Sequence, residues 1–240
     1  MKRKIAVLIG IVSTTLSLWQ APLHAQQPIS MRLGHVGFPG SLFAITADEF
    51  AKRVNTSLQG KMEIKVFHSS QLGSDEQMSR GIKVGAPEMF VPSTVMSTVD
   101  QKYGVFEMPY IIVSRAHMRK VAENKEVQKQ LFDGLPAKGL KVLGVWENGF
   151  RHITNNVRPI VNPADLKGIK LRVPGGVWRV KMFKTYGANP SPMPLAEVYS
   201  ALQTKLVEGQ ENPLAIISSA RLYEVQKYCS LTNHVWDAYW

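Results

Sequence analysis

The sequence predicts an α/β fold built of two units. Short strand-like runs alternate with longer stretches of helical periodicity. Glycine, proline and small polar clusters separate them. A second series of the same kind begins where the first has ended, near residues 147–151. Strands alternating with helices imply crossover units and mainly parallel central sheets flanked by helices. A chain of 240 residues is long enough for two modest domains.

The first series opens with a strand at Ser30–Val36 and a Gly-Phe-Pro-Gly loop at residues 37–40. Ser41 then caps a helix whose apolar residues are Leu42, Ile45, Phe50, Val54 and Leu58, ending at Gly60. Met62, Ile64 and Val66 alternate with charged residues and read as a half-exposed strand. Ser74, with Asp75 and Glu76, starts another helix that Gly85 closes. Met89–Val91 is a short buried strand. Ser114 caps one long amphipathic helix running to about Gly134, and Leu140–Trp146 is a further strand.

In the second series His152–Thr154 and Ile169–Val173 are strands, joined by a polar loop carrying Pro159 and Pro163. Val177–Tyr186 is a helix stopped by Gly187, and Leu195–Gln203 is another. Val207–Glu211 is a short strand. Pro213 occupies a first helical turn with Asn212 as its cap. Leu231–Trp236 reads as the last strand. The closing residues, Asp237-Ala238-Tyr239-Trp240, continue a strand pattern with no polar tail, as a fragment of a longer chain would.

The first residues stand apart from the fold. Lys2, Arg3 and Lys4 precede an apolar run from Ile5 to Trp19, and Leu23-His24-Ala25 resembles a small-residue cleavage site. That pattern is a secretory signal peptide cut after Ala25. The apolar run is short for a membrane span. Removing residues 1–25 lowers the formal charge from +11 to +8, from 26 basic and 18 acidic residues. The positive charges are scattered, without the aromatic-basic interleaving that stacks bases, so nucleic acid is not an expected partner. A diffuse positive field suits a small anion. Cys229, the one cysteine, cannot form an intrachain disulfide.

No Gly-x-Ser-x-Gly elbow, phosphate loop or dinucleotide fingerprint occurs, and no two histidines stand at metal-ligand spacing. No cofactor and no metal are expected. Arg151 and Arg172 each stand near the end of a strand-like run, and Asn212 lies in another strand-to-helix junction. Ligand clefts in such sheets lie beyond the carboxyl ends of strands. Two guanidinium groups and an amide converging there would suit a carboxylate, which arginine meets two atoms to two. The alternative for each arginine is a surface ion pair. His35 also stands at a strand end. Trp178 is core or cleft wall. Glu211 is expected to orient an arginine. Glu208 and Glu211 fall on opposite faces of a strand and cannot flank one bond.

Several segments in order carry a resemblance. They include Ser69-Ser-Gln-Leu-Gly73, Met108-Pro-Tyr110, Gly149-Phe-Arg-His-Ile-Thr-Asn155, Pro163-Ala-Asp-Leu-Lys-Gly-Ile-Lys-Leu-Arg-Val-Pro174, Gly187-Ala-Asn-Pro-Ser-Pro-Met193 and Glu208-Gly-Gln-Glu-Asn-Pro213. Together they resemble the solute-binding proteins of TRAP transporters, of the dicarboxylate- and sialic-acid-binding type. Glu208 and Gly85-Ala-Pro-Glu88 depart from the family pattern. The resemblance implies a two-domain periplasmic binding protein-like fold with the ligand cleft between its domains. Residues 26–148 would form domain I, 149–236 domain II, and 237–240 the start of a return to domain I. It implies a periplasmic, monomeric protein that is not an enzyme and that carries an organic acid. Its partners would be the small and large integral membrane subunits of the transporter. By matching, Arg172 is the carboxylate clamp, Arg151 a second basic contact and Asn212 the amide contact, with His35, Trp178 and Glu211 around them. A sensory binding protein and an exported enzyme acting on an acidic substrate are the alternatives.

Overall fold

The computed structural model describes residues 27–240, so the expected signal peptide and its cleavage site lie outside the described residues. In chain order the elements are β1 (Ile29–Gly34), α1 (Leu42–Ser57), β2 (Met62–Phe67), α2 (Asp75–Gly81), β3 (Met89–Phe90), α3 (Met96–Val99), α4 (Arg115–Glu123) and α5 (Lys125–Phe132). They continue with β4 (Trp146–Asn155), β5 (Lys170–Val173), α6 (Val177–Thr185), β6 (Asn189–Pro192), α7 (Leu195–Gln203), β7 (Gly209–Pro213), α8 (Leu214–Ser219), β8 (Tyr228–Ser230) and β9 (Trp236–Tyr239). A 3-10 segment at Gln101–Glu107 follows α3.

Two sheets organise the chain. In the smaller, β1 lies between β2 and β3, all parallel. Leu33, Val36 and Ile64 pack there with Phe43, Ala47 and Ala51 of α1. The larger sheet runs β6-β5-β7-β4-β8, with β9 also paired to β4. It is mixed: β5 is parallel to β6 and β7, whereas β4 is antiparallel to β7, β8 and β9. Its core holds Ile153, Leu171, Val173 and Phe183 on one side and Val198, Leu202 and Ile217 in a further cluster. Tyr239 of β9 packs on Phe43, ring centroids 3.9 Å apart, so the end of the chain joins the cluster under the smaller sheet.

Several elements differ from the sequence expectation, each for a local reason. The inward face of α1 is Phe43, Ala44, Ala47 and Ala51, while Ile45 is exposed. The single long helix is two, because the Asn124 side chain accepts hydrogen bonds from the backbone N–H groups of Glu126 and Val127 and starts α5 afresh. Residues 141–145 are not a strand, and the chain enters β4 only at Trp146. β4 then runs unbroken through Arg151, which lies inside it rather than at its end. Asn212 belongs to β7, and Pro213, not Asn212, holds the cap position of α8. The expected strand 231–236 is interrupted at Asn233, whose φ of 45° lies in the left-handed region that a strand does not use. β6, which carries Pro190 and Pro192, was not expected; it sits at the sheet edge, where a missing N–H costs no ladder bond.

Candidate functional site

β5 places Arg172 in register with Gln210 of β7 and Ser191 of β6. Met193, just past β6, donates its N–H to the Val173 carbonyl of β5 at 3.1 Å and so extends the β5–β6 ladder. Its own carbonyl then accepts from Arg172 Nε at 2.9 Å and Nη2 at 2.6 Å. One edge of the guanidinium is thus anchored. Nη1 has no hydrogen-bond partner among the described residues. A planar fork held along one edge leaves its other edge for a planar acceptor.

Arg151 is held differently. In the antiparallel pairing of β4 with β7, Ile153 lies opposite Glu211 and Arg151 opposite Pro213. Opposed residues share a face, and so do residues two apart, so Arg151 and Glu211 are diagonal neighbours. Arg151 donates through Nε and Nη2 to the Glu211 carboxylate, through Nη1 to Asp237, and through Nη2 to the Glu211 carbonyl and to Asn212 Oδ1. Both acids and the arginine are buried. Burial works against the charge of Arg151, but Glu211 and Asp237 outweigh it and hold its pKa above the usual value. Burial likewise opposes the Glu211 charge, and Arg151 and Arg179 overcome it, holding its pKa below the usual carboxylate range.

Arg172 meets no such carboxylate. Burial first, and then the nearby charge of Arg151, pull its pKa down to about 10, which still leaves it protonated at neutral pH. Across from it, burial and then Glu76 push the Asp75 carboxyl up to about 7, with Arg172 opposing. Asp75 Oδ1 is buried without a hydrogen-bond partner.

Arg151, Arg172, Asn212 and Asp75 line one small cavity of about 20 Å³, together with Ser93, Thr94 and Asn148. Val36, Phe43 and Leu195 are among its apolar walls. That volume holds about one water, so an organic acid enters only if the walls separate. A hollow of about 590 Å³ between Arg115, Phe132 and Trp236 carries neither arginine.

The structure therefore brings together three of the six residues expected at the site, Arg172, Arg151 and Asn212. Glu211 lies beneath them, accepting from Arg151, from Arg179 Nη1 at 2.9 Å and standing 3.0 Å from His234 Nε2. His35 is elsewhere: its ring is fully buried, stacked on Phe43 and edge-on to His68, with centroids 5.8 and 4.9 Å away. Its Nδ1 accepts from the Gly37 N–H, and burial then His68 pull its pKa down to about 4, so it is neutral. Its neighbour Val36 reaches the cavity instead. Trp178 packs on Gly104, where a Cβ would collide with the indole, and does not line the cavity. Asp75, Ser93, Thr94 and Asn148 were not anticipated. Asp75 was read as a helix start, which it is, and nothing in its local pattern distinguishes that role from a cavity wall.

Among the described residues no group of three or more His, Cys, Asp or Glu could hold a metal ion, and no helix is long and apolar enough to cross a membrane.

The family described as bacterial extracellular solute-binding protein, family 7, matches residues 33–240. A 2,3-diketo-L-gulonate-binding periplasmic protein of Escherichia coli is 36% identical over 209 residues, covering 87% of this chain and 63% of the relative. A C4-dicarboxylate-binding periplasmic protein of Rhodobacter capsulatus is 31% identical over 240 residues, covering 99% of this chain and 71% of the relative. The sugar acid binding protein of Advenella mimigardefordensis, solved with galactonate, superposes with a TM-score of 0.85 at 39% identity, covering 89% of this chain and 69% of that one. A TRAP periplasmic solute binding protein of Haemophilus influenzae with bound L-gulonate gives 0.82 at 33% identity, covering 88% and 69%. The chain spans 63% of the length of the Escherichia coli relative.

Proposed function

This chain belongs to family 7 of the bacterial extracellular solute-binding proteins, and on that premise we propose that it captures a small hydroxylated organic acid, of the sugar-acid class, in the periplasm. Arg172 is the clamp for the ligand carboxylate. The observation that carries this reading is its half-anchored guanidinium: Nε and Nη2 sit on the Met193 carbonyl, and the Nη1 edge is left for a ligand in a buried cavity. Arg151 and Asn212 form the wall beside it. Asp75, Ser93, Thr94 and Asn148 supply acceptors and donors for hydroxyl groups, which a plain dicarboxylate lacks. Galactonate and L-gulonate in two related structures support the same class.

Capture proceeds by population shift. The cleft opens to admit the acid, the carboxylate meets Arg172, and closure expels water. A ligand favours the closed state only by binding it better than the open one. Removal of water strengthens each charge-assisted contact. The loaded protein then passes the acid to the small and large membrane subunits of a TRAP-type transporter. Export through an N-terminal signal peptide cut after Ala25 places it in the periplasm.

A thermal-shift and calorimetric screen on the purified chain tests the reading, using galactonate, L-gulonate, D-erythronate and succinate. The hydroxylated acids should raise Tm and bind more tightly than succinate. Absence of binding by all four, or succinate binding most tightly, would overturn it.

A further inference from the structure

Behind the cavity lies a buried charge the sequence did not single out. Arg179 on α6 is fully buried. Its Nη1 donates to Glu211 Oε2 at 2.9 Å, the same oxygen that receives Arg151 Nε. Its Nη2 stands 3.5 Å from Asp237 Oδ1, and its Nε stands 3.8 Å from Glu107 Oε2. Neither Nε nor Nη2 has a hydrogen-bond partner, and neither does either oxygen of Glu107. Much of what Arg179 offers Asp237 and Glu107 is therefore charge rather than hydrogen bonding.

The charge count around Arg151 gives this a consequence. Glu211 and Asp237 are shared by Arg151 and Arg179, two acids between two bases. Without Arg179 the same two acids face Arg151 alone, and one net negative charge remains directly behind the cavity wall. Glu107 stands beside Arg179 Nε in the 3-10 segment, where burial raises its pKa and the arginine opposes the rise. His234, against Glu211, has its pKa lowered mainly by burial, with Glu211 opposing.

We propose that Arg179 is a positioning residue for anion capture: it neutralises Glu211 and Asp237, so that neither acid opposes the charge that Arg172 presents to an incoming carboxylate. It touches neither ligand nor cavity. The inference rests on the reading of Arg172 as the carboxylate clamp.

Four variants of the full chain test it by calorimetry: Arg179→Gln, Arg179→Lys, Arg179→Gln with Asp237→Asn, and Arg172→Ala. The probe is the tightest-binding of galactonate, L-gulonate and D-erythronate. Arg179→Gln should weaken binding about tenfold or more, as one uncompensated buried charge within ~10 Å does at an effective dielectric of about 20. Adding Asp237→Asn restores neutrality without restoring any contact, and should return the affinity to within about threefold of the parent. Arg179→Lys keeps the charge and should bind as the double variant does. Should Arg179→Gln fail to fold, the other two Arg179 variants still decide, because loss of binding by either overturns the inference. So does parental affinity in a folded Arg179→Gln. Undiminished binding by Arg172→Ala would instead refute the clamp itself. If Arg172→Ala abolishes binding and Arg179→Gln changes nothing, only the role of Arg179 falls.

Discussion

Arg151 and Arg172 lie in one sheet, are almost equally buried and line the same cavity, yet the protein holds them in opposite ways. Arg151 meets two carboxylates, a carbonyl and an amide. Arg172 meets a single backbone carbonyl along one edge. A guanidinium whose charge is already matched can stabilise a fold but has little left for a ligand. One that is oriented but uncompensated suits a ligand carboxylate, which supplies the missing charge. The difference separates a charge-matched cation from an unmatched one, and it arises from strand pairing. β4 runs antiparallel to β7 and brings Arg151 beside Glu211, whereas β5 runs parallel to β7 with Arg172 level with neutral Gln210.

The strongest way to break this contrast is Arg151→Met. It leaves Glu211 and Asp237 buried with one fewer partner, and loss of one member of a buried ionic group typically costs about 3–5 kcal/mol. Urea denaturation should show a stability loss of that size, with ligand binding falling as a consequence of unfolding. Stability within about 1 kcal/mol of the parent would mean that the acids are not held by Arg151 as the geometry indicates.

Arg172→Ala should do the reverse. Stability should change by about 1 kcal/mol or less, because only hydrogen bonds to one carbonyl are lost. Affinity for the ligand acid should fall by about 3 kcal/mol or more, since the bound carboxylate then lies buried without a cation. Arg172→Lys should recover only part of that, because an ammonium cannot reproduce the planar fork. Calorimetry on the three proteins checks the order. Binding by the lysine variant as tight as the parent's would show that charge alone, not the half-anchored fork, selects the ligand.

Much of this was legible in the sequence, and the limits have physical causes. Alternating apolar residues marked β2, strand-like runs marked β1 and β5, and Ser41 and Ser74 marked the starts of α1 and α2, because these signals are local. The family motifs pointed to Arg172, Arg151 and Asn212. What could not be read was which arginine is neutralised. Asp237 is 86 positions from Arg151, and its closeness depends on β9 pairing with β4 across a bulge between Glu147 and Gly149. Arg179 lies on a helix with little amphipathic pattern, so nothing marked it as buried. His35 was misplaced for the converse reason: its position at a strand end was right, but the chain turns so that Val36 faces the cavity and the imidazole faces Phe43.

The smallest expected effect sharpens the same contrast among the acids. Glu211 is fully buried and Asp75 half-buried, both near arginines, but Glu211 sits between two of them while Asp75 has a buried oxygen with no partner. The Asp75 carboxyl is accordingly pushed up to about 7, mainly by burial, whereas an unfolded aspartate ionises near pH 4. Between those values the native state keeps a proton that the unfolded chain has released, so stability must fall as pH rises from about 4 to about 7. Asp75→Asn removes that penalty. Relative to the parent it should gain roughly 1–3 kcal/mol at pH 8 over its standing at pH 4.5, as read by urea denaturation without ligand. The same substitution should weaken a hydroxylated acid more than succinate, because an amide can accept only one side of the hydroxyl network that a carboxylate accepts from both oxygens. A variant whose stability tracks the parent at both pH values would place Asp75 among the neutralised acids, with Glu211, and leave Arg172 paired after all.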